Sequence, residues 1–114
     1  MRHASYENSP ACPVEAALEV MDGKWVGSIL FHLAEGPRRF NTLRDDVGGI
    51  SPRVLTKALR DLEARGLITR TVDEGSPPGV MYALSEHGAS LRPVIEVLRT
   101  WGRIHLGNLG IRSA

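Results

Sequence analysis

Gly48–Gly49–Ile50–Ser51–Pro52–Arg53–Val54–Leu55–Thr56–Lys57–Ala58–Leu59–Arg60–Asp61–Leu62–Glu63–Ala64–Arg65–Gly66 is the stretch that decides the fold. Two glycines end whatever precedes them, and Ser51–Pro52 supplies a capping hydroxyl and a proline at the first helical position. The helix then runs over Pro52–Arg65 and stops at Gly66, which accepts the left-handed C′ conformation with Leu67 packing behind it. Advancing 100° per residue puts Val54, Leu55, Ala58, Leu59 and Leu62 on one arc of about 140°, which faces a core. Arg53, Thr56, Lys57 and Arg60 fill the opposite arc, with Asp61 at its edge. Arginine and lysine match guanine O6 and N7 in the major groove, and hydroxyls and further cations hold phosphates. A solvated helix face carries the same residue types, and Asp61 and Glu63 are spaced to pair with Lys57 and Arg60.

Working upstream, Asn41 stands where an N-cap would, and Leu43 and Val47 mark a helix of two turns before the glycines. Arg38–Arg39–Phe40 is a candidate short strand. Before it lies a helix opened by Lys24, with Trp25, Ile29, Leu30 and Leu33 on its apolar side and Gly36–Pro37 as its stop. Cys12–Pro13–Val14–Glu15 starts the first helix, which carries Val14, Leu18 and Met21 and ends at Gly23. Residues 1–11 are polar and irregular, an N-terminal arm.

Downstream the period changes. Leu67–Val72 and Val80–Leu84 are β-type runs, and the Gly- and Pro-rich segment Asp73–Gly79 between them predicts a hairpin with an exposed tip. Ser85–Glu86 caps a last helical region with the stripe Leu91, Val94, Leu98 and Trp101, a kink at Pro93, and an end frayed by Gly107 and Gly110. The expectation is a mainly α chain with a small β-hairpin (α+β), a winged helix-turn-helix domain over residues 12–106 and a frayed segment over 107–114.

Composition narrows the function. A chain of 114 residues holds one domain. Its net charge is +1, yet residues 38–70 hold eight Arg or Lys against four Asp or Glu, so positive charge gathers around the turn. The single cysteine, Cys12, excludes an intrachain disulfide and a thiolate-rich metal site. No apolar run is long enough for a membrane span, and the first residues lack a signal-peptide pattern, so the cytoplasm is the expected location. His3, His32, His87 and His105 are dispersed, Gly48–Gly49 lacks a phosphate loop's lysine and spacing, and Ser51 has no local base. Neither an enzyme nor a cofactor or metal protein is expected.

Beyond these patterns the chain resembles the HxlR-type family of bacterial winged helix-turn-helix transcriptional regulators. The resemblance runs from Cys12 to Trp101 through Cys12–Pro13–Val14, Gly23–Lys24–Trp25, Gly36–Pro37–Arg38–Arg39–Phe40 and Gly49–Ile50–Ser51–Pro52–Arg53–Val54–Leu55–Thr56. Leu59–Arg60–Asp61–Leu62–Glu63, Gly66–Leu67–Ile68, Pro77–Pro78, Tyr82–Ala83–Leu84–Ser85 and Gly88 continue in the family's order. It implies a homodimer on a near-palindromic double-stranded DNA operator, with repression as the outcome. The DNA-facing set would be Arg38, Arg39, Asn41, Ser51, Arg53, Val54, Thr56, Lys57, Arg60 and Arg70. The dimer would use Val14, Leu18, Leu91, Val94, Leu98 and Trp101 on the terminal helices. Cys12 matches a cysteine that some members use to sense an oxidant or electrophile; a thiol at a helix start favours thiolate, while inert packing is its other role. The hairpin departs from the family pattern. Gly79 and Met81 stand where a basic and an acidic residue are common, and Asp73 and Glu74 would repel phosphate. The alternative function is a winged helix serving as a protein-interaction or architectural module without an operator.

Overall fold

The structure is a computed structural model and describes residues 11–113; most of the expected arm lies outside them. Its elements are α1 (Pro13–Val20), α2 (Val26–Glu35), β1 (Arg38–Arg39), α3 (Phe40–Val47), α4 (Pro52–Ala64), β2 (Ile68–Asp73), β3 (Gly79–Leu84), α5 (Glu86–Ala89) and α6 (Arg92–Asn108). This is the expected helical chain with a small antiparallel sheet, a winged helix-turn-helix.

The decisive stretch folds as its chemistry dictates. Ser51 Oγ accepts from the Val54 N–H at 3.2 Å, and Pro52 opens α4. At the other end Gly66 sits at φ +76°, its N–H donating to Glu63 O at 2.9 Å while the Leu67 N–H reaches Leu62 O at 3.0 Å. That pair of bonds is a Schellman closure, and it throws Leu67 into the core. The buried seam of α4 is Leu55, Leu59 and Leu62, narrower than expected. Val54 lies about 100° off that seam and is 43% exposed, so it leaves the core set.

One cluster fills the interior. Ile29, Leu30 and Leu33 of α2 meet Leu43 of α3, the α4 seam, Ile50, Leu67, Ile68, Tyr82 and Ile95. β3 is the central strand of an antiparallel sheet ordered β1-β3-β2, with Arg39 opposite Met81 and Asp73 opposite Gly79. Relative to the expected runs, β2 is shifted one residue toward the tip and β3 is one residue longer there. Among the described residues β1 pairs only with Tyr82 and Met81.

Three local expectations are corrected. Asn41 is not the cap of α3: the helix already begins at Phe40, and the extended residue before it is Arg39. Phe40 packs partly buried against the core, and the helix start lies two residues earlier than a cap at Asn41 would set it. Pro93 does not kink a long helix. It stands in the first turn of α6, because its ring and missing N–H forbid continuation from α5 and are tolerated at a start. Gly107 lies inside α6, which Gly110 closes at φ +74° with the Ile111 N–H donating to Leu106 O at 2.9 Å, where fraying was expected.

Ser85 ties the sheet to α5. Its Oγ donates to Gly66 O at 2.6 Å and accepts from the Gly88 N–H at 2.9 Å, while its own N–H donates to Leu67 O at 2.9 Å. Among the described residues no helix is long and apolar enough to cross a membrane.

Candidate nucleic-acid interface

α4 presents its polar side along a shallow groove of about 490 Å³ lined by Pro52, Arg53, Thr56, Lys57, Arg60 and Asp61. The expected arc of Arg53, Thr56, Lys57 and Arg60 is thus one continuous surface. Lys57 is highly exposed and pairs with Asp61 at 3.0 Å, one helical turn away. An exposed pair of this kind is worth less than about 1 kcal/mol, so a phosphate can displace Asp61. Arg53 and Arg60 have no ion pair among the described residues.

A second cleft of about 570 Å³ separates α4 from the sheet. Thr56, Arg60 and Glu63 form one wall, Arg70, Val80 and Tyr82 the other, with Phe40 and Leu59 behind. Arg70 on β2 thereby shares a cleft with Arg60, which sequence spacing did not show. Ser51 acts through its cap, and Val54, displaced from the core, is exposed beside the groove.

Two of the expected DNA-facing cations are engaged elsewhere. Arg38 donates to Asp46 Oδ2 at 3.1 Å and to the carbonyls of Gly36 at 2.9 Å and Pro37 at 3.1 Å, locking the α2–β1 turn against α3. Arg39 directs Nε at 2.8 Å and Nη2 at 2.5 Å onto Asp73 Oδ2. Asp73 Oδ1 accepts from the Gly75 N–H at 3.1 Å. The Arg39 hydrogen bond first, and the Gly75 amide second, hold the Asp73 carboxyl below the usual carboxylate range. Asp73, expected to repel phosphate, is neutralised by this partner. Arg65, counted in the basic stretch, donates to Val20 O at 3.0 Å and fastens α4 to α1. Asn41 is exposed in the first turn of α3.

The terminal helices leave apolar surface uncovered. Val14 and Leu18 of α1, and Val94, Leu98 and Trp101 of α6, are exposed as large hydrophobic side chains. Leu91 is half-buried against the core and drops out of that stripe. Val97 and Ile104 join it, at 68% and 58% exposure. Val97 stands three residues from Val94 and four from Trp101, and Ile104 three beyond Trp101, and that helical spacing was the signal that could have found them. Cys12 is exposed immediately before α1, its carbonyl accepting from the Ala16 N–H at 3.0 Å.

A capped basic helix whose leucine seam shares one core with α2 and α3, with a β-hairpin following it, defines a winged helix-turn-helix DNA-binding protein. The chain belongs to the HxlR-like helix-turn-helix family, whose model matches residues 20–109. It is 42% identical over 97 residues to the HTH-type transcriptional regulator YybR of Bacillus subtilis, covering 85% of this chain and 78% of that protein. Among solved structures it is similar to the redox regulator HypR in its reduced form, at 39% identity and a TM-score of 0.78 over 87% of this chain and 98% of that one. It is also similar to the reduced form of the transcriptional regulator YodB from B. subtilis, at 31% identity and a TM-score of 0.71 over 82% and 92%. The chain is a transcriptional regulator of this family, not an enzyme.

Proposed function

We propose that the protein is a cytoplasmic repressor that binds a near-palindromic operator as a homodimer and weakens its grip when Cys12 is oxidised. The observation that carries the DNA reading is the α4 groove, where Arg53, Thr56, Lys57 and Arg60 line one surface. α4 enters the major groove with its first turn nearest the bases, so Arg53 is the reader and Lys57 a phosphate contact. Two such helices read two half-sites only when the protomers are joined, and the uncovered face of α6 supports that joining.

The redox part rests on the exposure of Cys12 and on likeness to HypR, a redox regulator. An oxidant that accepts two electrons and two protons would couple Cys12 to Cys12 of a second chain or to a small thiol. Each chain has one cysteine, so a disulfide formed by protein alone must be intermolecular. A bond across a dimer needs Cα atoms within about 7 Å, and any shift of α1 to reach it changes the spacing of the reading helices.

Protection mapping of the DNA upstream of the gene and its neighbours tests both parts, using reduced and oxidised protein. Protection of one near-palindromic site by reduced protein, lost on mild oxidation and retained in Cys12→Ser, is the expected result. Sequence-independent protection would remove the operator reading, and unchanged protection after oxidation would remove the Cys12 reading.

A further inference from the structure

The outermost pair of the hairpin, Asp73 opposite Gly79, lies beyond the end of β1, which pairs with Tyr82 and Met81. Arg39 nevertheless reaches it. With the strand order β1-β3-β2, its guanidinium must cross β3 to meet Asp73 on β2, two strand spacings or about 10 Å away. The crossing point is Gly79. A Cβ there would stand 3.2 Å from Arg39 Nη1 and 3.5 Å from Cζ, so the guanidinium lies against bare backbone. Gly75 repeats the arrangement in the loop, where a Cβ would meet Asp73 Oδ1 at 3.2 Å and Arg39 Nη2 at 3.4 Å.

This bears on how the wing is mounted. Arg39 immediately precedes α3, and Phe40 beside it packs into the core, so the root of the arginine is fixed to the helix-turn-helix. Its tip holds Asp73, whose other oxygen holds the Gly75 amide at the start of the loop. A continuous set of bonds therefore runs from the base of α3 to the wing tip. Gly79, one of the two departures from the family pattern, and Asp73, expected only to repel phosphate, are two features this set requires.

We propose that Arg39, Gly79 and Asp73 form a latch that fixes the wing relative to α3 and α4, making Arg39 a positioning residue for DNA recognition instead of a phosphate contact. The inference rests on the DNA-binding reading for its consequence, but the latch itself is a property of the free protein. Releasing it loosens the outer hairpin, since local opening is governed by the few contacts that hold a segment. A loose wing still touches DNA, yet it ceases to favour one register on the operator over another.

The test compares wild type, Arg39→Gln, Asp73→Asn and the double variant Arg39→Gln/Asp73→Asn. Amide exchange in the free protein is read first, at Asp73, Gly75 and Gly79, since alternation from the Ser85 N–H to Leu67 O bond makes Asp73 and Gly79 a hydrogen-bonded pair. Each of the three variants is expected to lose about tenfold in protection there, with protection in α2 and α4 unchanged. Operator and random duplex, the operator taken by selection from random-sequence DNA, are then titrated over several salt concentrations. The double variant has the same net charge as wild type, so its salt slope should match wild type while its operator-to-random ratio falls about tenfold. Asp73→Asn alone frees a cation and should raise the salt slope on both duplexes by about one. Wild-type exchange in the double variant would overturn the latch, whatever the DNA results. A wild-type operator ratio in a double variant with a loosened wing would leave no positioning role. Absence of operator binding by wild type would sink the functional reading, while the exchange data would still decide the latch.

Discussion

Gly88 shows how little tolerance one position can have. A Cβ built there would stand 1.9 Å from Leu67 O, inside any permitted contact, and the obstacle is backbone that cannot swing aside. The same carbonyl accepts from the Ser85 N–H, so displacing it breaks the joint that ties β2 to α5. Gly88→Ala is expected to cost about 3 kcal/mol or more, measured by urea unfolding. Ser85→Ala removes only the side-chain bonds to Gly66 O and the Gly88 N–H and should cost about 1 kcal/mol. A Gly88→Ala protein as stable as wild type would mean that α5 can move away from Leu67 freely. On the DNA face the residues separate by function. Arg53→Ala should cost about 1–3 kcal/mol on operator and little on random duplex if it reads a base. Lys57→Ala should weaken both duplexes alike and lower the salt slope by about one. Equal loss on both duplexes for Arg53→Ala would make it a phosphate contact.

At the scale of elements, what the sequence disclosed depended on how local the determining chemistry is. The cap at Ser51, the closure at Gly66 and the Leu55, Leu59 and Leu62 seam of α4 involve partners within five residues, and each was legible, whereas Val54 was wrongly placed on that seam. The hairpin was legible for the same reason, to within one residue at each strand. The start of α3 was not, because packing of the partly buried Phe40 against residues distant in sequence outweighs the capping preference of Asn41. The fate of Arg39 and Asp73 was hidden more deeply. They lie 34 residues apart and meet only through the strand order β1-β3-β2, so their charges were counted separately, one as a DNA contact and one as a repulsive group. The wing therefore has a predictable response to acid. Asp73 is held below its unfolded value of about 3.9, so its contribution is fully present above that pH and is lost as pH falls through the folded value. Amide protection at the wing tip should be constant from about pH 8 to pH 5 and fall below about pH 4. Asp73→Asn should lack the acid-linked step, and a step that survives in that variant would assign it to another carboxylate.

For the molecule as a whole, the question is what covers α6. Ile95 faces inward and is buried, while Val94, Val97, Leu98, Trp101 and Ile104 stand out from the chain on the same helix. Val14 and Leu18 on α1 add to an apolar surface that an isolated domain gains nothing by exposing. A second copy is the simplest cover, because a two-fold axis lets the same patch meet itself, and a stable interface needs about 800 Å² from each partner. The reduced protein should therefore sediment at micromolar concentration with a mass of about 25 kDa, twice the 12.5 kDa of one chain. Trp101 is the largest of these side chains, and it is 60% exposed, so removing it should leave the fold of one chain intact. Trp101→Ala is expected to weaken dimerisation by about 2 kcal/mol or more, as a central aromatic anchor does. Operator affinity should fall with it, because two half-sites reward only linked readers, whereas affinity for a single half-site should hardly change. The pair of measurements separates the possibilities. A 12.5 kDa species in wild type would leave the α6 face to another partner. A Trp101→Ala protein that remains dimeric and binds operator normally would move the interface to another surface.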